Sequence, residues 1–547
     1  MAATTAQGVG NRITAVGISG ELIEPDRTTA QRHVWPFGLV TAGFAVVAAL
    51  AALRVALPGW VTKVVCDGPH GRLHGGLLAV ALIVLAHGLL RRRTVAYWVA
   101  LAAAGFGVLL AGRNVLALLL VASGVALAVR RSAFPAVPRP ARVRLAMMCG
   151  LAVLAIGGMY DAALHGHDEL RVDLGSLVLL GVSVVLVVLL APAPPPEPAD
   201  GATRARVRDL VRHPSSDTLA PFVLRHDKQY VFSRDGRAAL GYRVLLGVAV
   251  VGGDPVGEPD AFPDAVDEFV QMCDRAGWRA AVLAVREDIA PLWRRHGLRT
   301  IGIGDEVLLD VEAFTLSGRA MRNVRQAVTR TWHAGVTTIV VREGDLDATL
   351  RAELTSLSAR WRGRARERGF SMILDGLLTG THPDCVLVIA RDADGELVGF
   401  QRYAPCGNAL SLDSMRRDRS GLNGLNERMI VDLVTYARAH GVRTLSLNFA
   451  AFRALLDKED RNVLELAGYQ ALHLLDPFIR LESLYRFNAK FRPDFLPRGV
   501  AFPSWASVPV VAAAMVGMEF GLGYDRRRLP EPTLIPDAEL RRAPGTA

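Results

Sequence analysis

Residues 396–450 decide the fold of this chain, and they read ELVGFQRYAPCGNALSLDSMRRDRSGLNGLNERMIVDLVTYARAHGVRTLSLNFA. The segments 398–403, 409–412 and 444–449 are rich in apolar and aromatic residues, which predicts three strands. Between the second and third strands, residues 425–440 carry apolar side chains at helical spacing. This order places polar residues at a strand end beside a helix N-terminus, where an anion can bind. The stretch therefore predicts a functional site.

The composition argues against a purely soluble protein and indicates acidic partners. The chain has 547 residues, of which 51% are hydrophobic, and its mean hydropathy is +0.26. A formal charge of +10 and a pI near 9.7 indicate anionic lipid or nucleic acid as a partner. The cytoplasmic cations of a membrane protein would explain part of this charge by themselves. The five cysteines form no C-x-x-C pair, so neither a disulfide framework nor a zinc site is expected.

Six apolar segments near the amino terminus each approach the ~20 residues that span a bilayer. They are Trp35 to Leu57, Leu73 to Leu90, Val95 to Ala111, Asn114 to Val129, Val143 to Leu164, and Val172 to Leu190. The third and fourth share one long stretch, which is either a tight hairpin or a single bent helix. Arginine-rich loops follow the second, fourth and sixth segments, and the opposite loops carry few cations. The positive-inside rule therefore predicts a multi-pass protein of the cell membrane with both termini in the cytoplasm.

The remaining chain predicts a cytoplasmic α/β domain. Strands and helices alternate from residue 204 onward, and the pattern starts again near residue 346. The expected domains are a disordered cytoplasmic tail (1–34), a transmembrane helical domain (35–191), a Pro-rich linker (192–203), two similar lobes (204–345 and 346–530) and a second disordered tail (531–547). Residues 242–251 predict one buried strand, and the apolar segment 508–516 predicts a core element.

Five motifs carry a family resemblance over roughly Leu219 to Trp505. In chain order they are VVGGDPVGEPD (250–260), SGRAMRNVRQAV (317–328), RGFSMI (368–373), LDSMRRD with LNERMIVDL (412–433), and SLYRFNAKFRPDFLPR (483–498). Together they resemble the phosphatidylglycerol lysyltransferase family, whose members are also called multiple peptide resistance factors.

The resemblance implies two GNAT-like lobes, with the catalytic site in the second lobe. An enzyme of this kind takes an aminoacyl group, here lysyl or alanyl, from aminoacyl-tRNA and transfers it to the glycerol hydroxyl of phosphatidylglycerol. The product alters the charge of the membrane surface and the resistance to cationic peptides. Neither a cofactor nor a metal is expected.

Three residues are candidates for catalysis. Asp413 follows a predicted strand, where its carboxylate can orient the attacking hydroxyl or the ammonium group of the substrate. Arg416 can bind a phosphate of lipid or tRNA through two N–H groups. By resemblance these two match the family's paired Asp and Arg, and a surface ion pair is the structural alternative. Lys490 matches the family's Lys, and it can reach a phosphate or a developing oxyanion from the last turn of a predicted helix.

Other polar residues are expected to bind substrate. These substrate-binding candidates are Asp254, Arg417, Glu427, Asn448 and Arg492. Asp254 can bind an ammonium group or simply form a turn. Glu427 can instead complement the dipole of a helix that Asn423 caps.

Two basic segments are expected to contact phosphates of tRNA or lipid. Arg319, Arg322 and Arg325 form a basic stripe on a predicted helix, and residues 360–368 form a basic run that contains Trp361. A solvated charged face is the alternative for both segments.

Two other functions remain open from the sequence. A GNAT-type transferase that uses acyl-CoA needs a Gly-rich loop for the pyrophosphate, but the glycines of residues 419–424 lack that spacing. A lipid transporter or scaffold with a degenerate transferase domain would require neither Asp413 nor Lys490. The sequence has no G-x-S-x-G motif, which favours direct attack on the donor over an acyl-enzyme.

Overall fold

The computed structural model describes residues 38–46, 49, 71–111, 115–129, 131, 134, 140–163, 174–363, 372–418, 422–451 and 486–522. The two predicted disordered tails and most of the first apolar segment lie outside the described residues. Most of the RGFSMI motif and the start of the SLYRFNAKFRPDFLPR motif also lie outside them.

Besides the helical residues 38–46, five helices among the described residues precede the α/β domain, and they coincide with the second to sixth predicted apolar segments. They are α1 (Gly71–Leu90), α2 (Thr94–Ala111), α3 (Val115–Val129), α4 (Pro140–Ala163) and α5 (Leu174–Leu190). Helices α2 and α3 pack against each other, as expected for a hairpin rather than one bent helix. Two stretches are long and apolar enough to cross a membrane by length and composition, Leu73–Leu90 and Pro140–Tyr160. Thr94–Gly105 and Ser176–Leu190 are shorter apolar stretches among the described residues, so the six-helix prediction is supported only in part.

Helix α4 has a largely exposed apolar surface. Only 6% of its apolar stretch is buried, and Met148, Ile156 and Met159 are well exposed. Such a continuous apolar surface is unfavourable in water. Helix α5 approaches α4 closely, since a Cβ atom at Gly157 would lie 2.0 Å from a Cδ atom of Leu177. Close packing over glycine is common between helices in membranes.

The rest of the described chain is an α/β unit. Its strands are β1 (Gln229–Phe232), β2 (Ala238–Leu245), β3 (Val248–Gly252), β4 (Val256–Gly257), β5 (Arg279–Arg286), β6 (Arg299–Asp310), β7 (Thr337–Arg342), β8 (Val386–Arg391), β9 (Leu397–Cys406), β10 (Ala409–Arg417), β11 (Thr444–Ala451) and β12 (Asp494–Phe502). Its α-helices are α6 (Gly201–Val211), α7 (Phe262–Ala276), α8 (Ala290–Arg295), α9 (Arg322–His333), α10 (Ala348–Arg362), α11 (Leu425–Ala439) and α12 (Val508–Glu519).

The described strands form one sheet with the order β1-β2-β3-β5-β12-β6-β11-β10-β9-β8-β7, and β4 lies beside β2. Strand β3 is parallel to β5, with α7 between them in the chain, and β10 is parallel to β11, with α11 between them. Each predicted lobe therefore contains one strand–helix–strand crossover. Strand β12, from the end of the chain, lies between β5 and β6. The two lobes share strands and do not form separate sheets.

The single strand predicted at residues 242–251 is wrong, because this segment is the hairpin of β2 and β3. Leu246 (φ 52°) and Gly247 (φ 70°) both adopt the left-handed conformation, which a two-residue turn between antiparallel strands favours. Leu-Gly is not one of the strong turn dipeptides, so the apolar run concealed the turn. The predicted core element at 508–516 is confirmed. Helix α12 buries Val511 and Met518 in an apolar cluster with strand residues such as Val250.

We expect Gly247→Ala to destabilise the protein by about 1–2 kcal/mol, the usual cost of a left-handed conformation for a residue with a Cβ atom. The added atom would also lie 2.9 Å from Pro192 Cγ. The measurement is chemical unfolding of the full chain in detergent. Gly302→Ala is the matched control, because a Cβ atom at Gly302 meets nothing within 4 Å. Equal stability of the two variants would contradict the assigned turn.

Candidate active site

Strands β10 and β11 pair over only part of their length and leave an opening at one end. The parallel register runs from Ala409 to Ser411 of β10, and it does not continue among the described residues. Asn448 of β11 adopts a left-handed conformation (φ 71°) at the point where the register with β6 shifts. Its Nδ2 atom donates to the carbonyl oxygens of Leu412 (2.9 Å) and Met372 (2.8 Å). Asn448 thus bridges this opening, which we call the β10–β11 wedge.

Asp413 lies at the wedge in a β-bulge of β10. The register with β9 shifts between Leu412 and Ser414, so Asp413 is the extra residue. Bulges often re-aim a side chain beside an active site. The buried Asp413 carboxylate accepts hydrogen bonds from the Leu374 amide (2.6 Å) and from Arg402 Nη1 (3.0 Å). Both oxygens are therefore engaged, and the surface ion pair considered from the sequence is wrong.

Arg402 connects Asp413 to a second buried carboxylate. The Arg402 side chain is inaccessible to solvent, and its Nε atom lies 2.7 Å from Glu343 Oε2. Burial raises the pKa of both Asp413 and Glu343, and the positive charge of Arg402 opposes each rise. The positive charge of Arg351 also lowers the pKa of Glu343, and that of Arg416 lowers the pKa of Asp413, so further cations already lie near this pair.

The N-terminus of α11 lies at the same end of the sheet, because a crossover helix begins where the preceding strand ends. Gly424 (φ 104°) is the N-cap residue and no described side chain caps the helix, so Asn423 is not the cap and that prediction is wrong. The first N–H groups of the helix favour an anion there. Glu427 in the first turn is buried, and its Oε1 atom lies 2.9 Å from Lys490 Nζ. The Lys490 side chain remains 40% exposed. The structure thus brings two predicted residues together.

A second buried arginine, Arg498 of β12, binds three carboxylates. Its Nη2 atom lies 2.6 Å from Asp217 Oδ1 and its Nη1 atom 3.1 Å from Asp254 Oδ2. Its Nε atom lies 3.1 Å from Glu306 Oε2. Arg286 Nε also lies 3.3 Å from Asp254 Oδ2. The predicted ligand Asp254 is therefore held inside the protein by two arginines.

Asp254 has a strongly altered proton affinity in this cluster. Burial, followed by the negative charge of Asp217, raises the pKa of Asp254 to about 7, although Arg498 and Arg286 oppose the rise. Two arginines face three carboxylates, so a proton on one carboxylate balances the charges. Its complete burial favours this proton on Asp254.

Glu306 links the Arg498 cluster to the wedge. Its Oε1 atom accepts hydrogen bonds from Thr218 Oγ1 (2.5 Å) and Ser446 Oγ (2.5 Å). Ser446 Oγ in turn accepts a hydrogen bond from the backbone N–H of Asn448 (3.1 Å). A continuous hydrogen-bonded path therefore runs from Arg498 to the residue that bridges the wedge.

Residues 207–502, which include the wedge and both arginine clusters, match the family described as phosphatidylglycerol lysyltransferase, C-terminal. The match covers more than half of the chain. This chain belongs to that family. The resemblance drawn from the five motifs is thereby confirmed.

Relatives within this lysyltransferase family differ in how much of their length the chain covers. An MprF-like domain protein of Mycobacterium tuberculosis is 39% identical over 390 residues, which are 70% of this chain and 78% of that protein. The lysylphosphatidylglycerol biosynthesis bifunctional protein LysX of Gordonia bronchialis is 37% identical over 364 residues, which are 65% of this chain. The match is only 32% of the length of LysX. The chain thus spans about a third of that bifunctional relative.

A solved structure supports the fold. A crystal structure of a C-terminal domain (DUF2156) from Agrobacterium fabrum superposes with a TM-score of 0.53 at 24% identity. The superposition covers 59% of this chain and 98% of that domain. The predicted α/β fold of GNAT-like character is therefore confirmed for this domain.

The structure gives Arg416 a different neighbour from the one the motif suggested. The guanidinium carbon of Arg416 lies 4.1 Å from the centroid of the Trp361 ring, and Asp413 pairs with Arg402 instead. Arg416 and Trp361 thus form a cation–π contact. This contact joins the LDSMRRD motif to the end of α10. Arg417 is half-buried at the end of β10, and Arg492 is exposed in a left-handed conformation (φ 55°).

The predicted basic stripe is only partly helical. Helix α9 begins at Arg322, so Arg319 lies in the preceding turn. Arg325 Nη1 donates to the carbonyl oxygens of Leu316 and Gly318, and it thereby stabilises that turn. All three arginines are exposed. The stripe is therefore an exposed basic surface formed by a turn and one helix.

Four buried charged residues beside the candidate site were not predicted from the sequence. These are Glu306, Glu343, Arg402 and Arg498. Charged residues are almost never fully buried unless they are paired, and each of these four lies within or next to an apolar strand. A charge inside an apolar strand, such as Arg402 in VGFQRYA, is the signal that would have indicated them.

A buried group of possible metal ligands was also missed. His226, Asp375 and His382 place one ligand atom each within 4.8 Å of one another, and His226 Nδ1 lies 2.7 Å from Asp375 Oδ1. Burial, reinforced by the positive charge of Arg402, lowers the pKa of His382 well below its usual value. A neutral imidazole can bind a metal ion, but the positive charge of the neighbouring Arg402 disfavours a cation at this place. His226 lies 149 residues from Asp375 in the chain, so the spacing of the three gave no indication.

Asp254→Asn should flatten the pH dependence of stability between about pH 4 and 7. The pKa of Asp254 is about 7 in the folded protein against an ordinary value of 3.8. The folded chain therefore holds this proton more tightly, and its stability falls as the pH rises through this window. Thermal unfolding of the full chain at pH 5 and pH 8 measures the effect.

Asp260→Asn is the control for this pH experiment, because Asp260 is an exposed carboxylate of the same lobe. The control variant should keep the difference in midpoint between the two pH values. The same difference in wild type and Asp254→Asn would refute a protonated Asp254.

Proposed function

We propose that this chain is a membrane-anchored transferase that moves an aminoacyl group from aminoacyl-tRNA to the glycerol hydroxyl of phosphatidylglycerol. The family match over residues 207–502 is the observation that carries this proposal. A lysyl group is the first candidate, because the LysX relative is named for lysylphosphatidylglycerol biosynthesis. This chain covers only 32% of the length of LysX, so the activity of the whole LysX protein is not assigned to this chain.

The reaction exchanges one ester for another. A glycerol hydroxyl attacks the ester carbonyl carbon of aminoacyl-tRNA, and a C–O bond to the lipid forms. The C–O bond to the tRNA ribose then breaks, and the proton of the attacking hydroxyl passes to the ribose oxygen that leaves. Because bond energies change little, the enzyme mainly holds two large anionic substrates together and stabilises the tetrahedral oxyanion.

Lys490 and the N-terminus of α11 supply positive charge for this step. The exposed part of Lys490 can contact a substrate anion while Glu427 holds the ammonium group from the other side, at 2.9 Å. The first N–H groups of α11 add partial positive charge at the end of the sheet where β10 and β11 separate. Lys490 is thus proposed to stabilise the oxyanion or a substrate phosphate.

Asp413 is proposed to act as a positioning residue at the wedge. Its oxygens already accept hydrogen bonds from Leu374 and Arg402, so it fixes the bulge of β10 against the segment around residues 372–375. Asn448 fixes the opposite strand through Leu412. A rigid wedge of this kind holds the reacting groups in the geometry that the transfer requires.

The membrane part is proposed to hold the domain at the cytoplasmic surface. The six apolar segments and their arginine-rich loops favour a multi-pass topology with both termini in the cytoplasm. The exposed apolar surface of α4 supports contact with lipid. The exposed arginines Arg319 and Arg322, and Arg416 stacked on Trp361, are the proposed contacts for phosphates of tRNA or lipid.

The test is mass spectrometry of lipid extracts from a bacterial host that lacks aminoacylated lipids. Expression of the chain should produce a lipid heavier than phosphatidylglycerol by one aminoacyl residue, and the mass difference identifies the amino acid. Lys490→Met should reduce this product about 10²-fold, because removal of one oxyanion donor typically costs that much. Lys490→Arg should retain part of the activity.

Arg295→Gln is the control variant, since Arg295 is exposed on α8, a helix that carries none of the proposed site residues. It should produce the wild-type amount of the new lipid. A folded, membrane-located wild-type chain that forms no new lipid would exclude the proposed reaction. Binding of an acyl-CoA in calorimetry would then favour the GNAT-type alternative.

A further inference from the structure

A cationic pocket lies where α1 meets the α/β unit. It has a volume of about 270 Å³ and lies between the end of α1, the C-terminal end of α7 and the turn before α12. Its lining includes Arg91, Arg92, Arg279, Trp278, Asp274 and Ser504. Three arginines therefore face one carboxylate on the walls of this junction pocket. None of these residues belongs to the wedge or to the two buried arginine clusters.

Donor groups in the junction pocket lack acceptors. The Nε and Nη1 atoms of Arg91 and the Nη1 atom of Arg279 are buried, and they have no hydrogen-bond partner among the described residues. The neighbouring Arg93 differs, because its Nη1 and Nη2 atoms donate to the carbonyl oxygens of Ala276 (3.3 Å) and Gly277 (3.4 Å). Arg93 thus caps the C-terminus of α7, whereas the other two arginines line the junction pocket and carry buried N–H groups that have no acceptor among the described residues.

The unmatched arginines repel each other. Burial lowers the pKa of Arg91 to about 10, and the charges of Arg279 and Arg93 lower it further in the same direction. Burial also lowers the pKa of Arg279. Buried guanidinium groups that keep their charge require a compensating anion. An anion in the cavity would satisfy the free N–H groups and remove this repulsion.

We propose that the junction pocket binds the phosphodiester headgroup of an anionic phospholipid. Guanidinium groups bind phosphate oxygens in pairs, which suits the two facing arginines. The volume lies slightly below the ~300 Å³ at which pockets for drug-sized ligands begin, as expected for a headgroup whose acyl chains stay outside.

The position of the pocket favours a lipid as the source of the phosphate. Leu73–Leu90 is one of the two stretches long and apolar enough to cross a bilayer, and Arg91 follows its last residue directly. The pocket therefore lies at the level of the lipid headgroups if α1 spans the membrane, so this inference rests on the membrane placement proposed above. It does not depend on the transfer reaction at the wedge.

The headgroup would connect two parts of the molecule. Arg91 follows α1, and Arg279 begins β5, the strand that pairs with β12. One phosphate bound by both arginines would fix the sheet at the membrane surface, next to the cap that Arg93 already forms on α7. The bound lipid is thus an anchoring ligand and is distinct from the lipid that accepts the aminoacyl group.

The test measures the apparent unfolding midpoint of the full chain in neutral detergent. Phosphatidylglycerol at about 100 times its dissociation constant should raise the midpoint by ~5 °C. Phosphatidylcholine and inorganic phosphate are the comparison ligands, and each should raise it far less. An equal rise with inorganic phosphate would overturn the assignment to lipid.

The double variant Arg91→Gln, Arg279→Gln should lose the rise with phosphatidylglycerol. Without lipid its midpoint should equal or exceed that of the wild type, because two repelling charges are gone. The control Arg295→Gln, Arg299→Gln removes two exposed charges from the same lobe and should respond like the wild type. A double variant that is less stable than wild type but keeps the full lipid effect would refute the site.

Native mass spectrometry of the wild type with equal amounts of phosphatidylglycerol and phosphatidylcholine provides a readout that needs no variant. Retention of phosphatidylglycerol in at least tenfold preference supports the site, and equal retention of both lipids contradicts it. The lipid-extract experiment for the transferase is separate. An inactive chain that still shows the preference would reject the proposed function and leave this site in place.

Discussion

The burial of Arg498 is the constraint on which the rest of the α/β unit depends. A guanidinium group without solvent contact must be neutralised, and the carboxylates that do so come from three different places: Asp217 before β1, Asp254 after β3, and Glu306 within β6. Only a strand between β5 and β6 brings Arg498 to all three. The same Glu306 accepts the hydrogen bond of Ser446, so the position of β12 also determines the shape of the wedge.

The two predicted lobes repeat one arrangement and use it differently. In each lobe a parallel strand pair ends at a non-glycine residue with a left-handed backbone, Ala284 (φ 67°) in β5 and Asn448 (φ 71°) in β11. In the first lobe the Arg498 side chain reaches this point, and its Nη1 atom lies 3.4 Å from the Ala284 carbonyl oxygen. In the second lobe the Asn448 side chain bridges the strands through the Leu412 carbonyl oxygen. The first opening is thus filled by a buried guanidinium group, whereas the proposed chemistry lies at the second.

The sequence predicted local structure well where apolar spacing determines it. Helix α11, the strands around it and the core character of α12 followed from periodicity. The position of β12 could not follow, because its partners in β5 and β6 lie about 200 residues away in the chain. At the candidate site, sequence motifs were sufficient to predict Asp413 and Lys490. Their partners Arg402 and Glu427 were not recognised as such, since side-chain pairing depends on three-dimensional contacts that spacing does not encode.

The late position of β12 in the chain has a consequence for biosynthesis. The ribosome releases β1 to β6 long before residues 494–502 emerge, and until then β5 and β6 each lack a central neighbour. During synthesis the strand edges of β5 and β6 therefore stay unpaired, and unpaired edges are prone to pair with the wrong strand. Contacts between such distant segments also form slowly. The domain should thus be unable to mature one lobe at a time, and a translation product that stops before β12 is expected to be a substrate for chaperones and proteases.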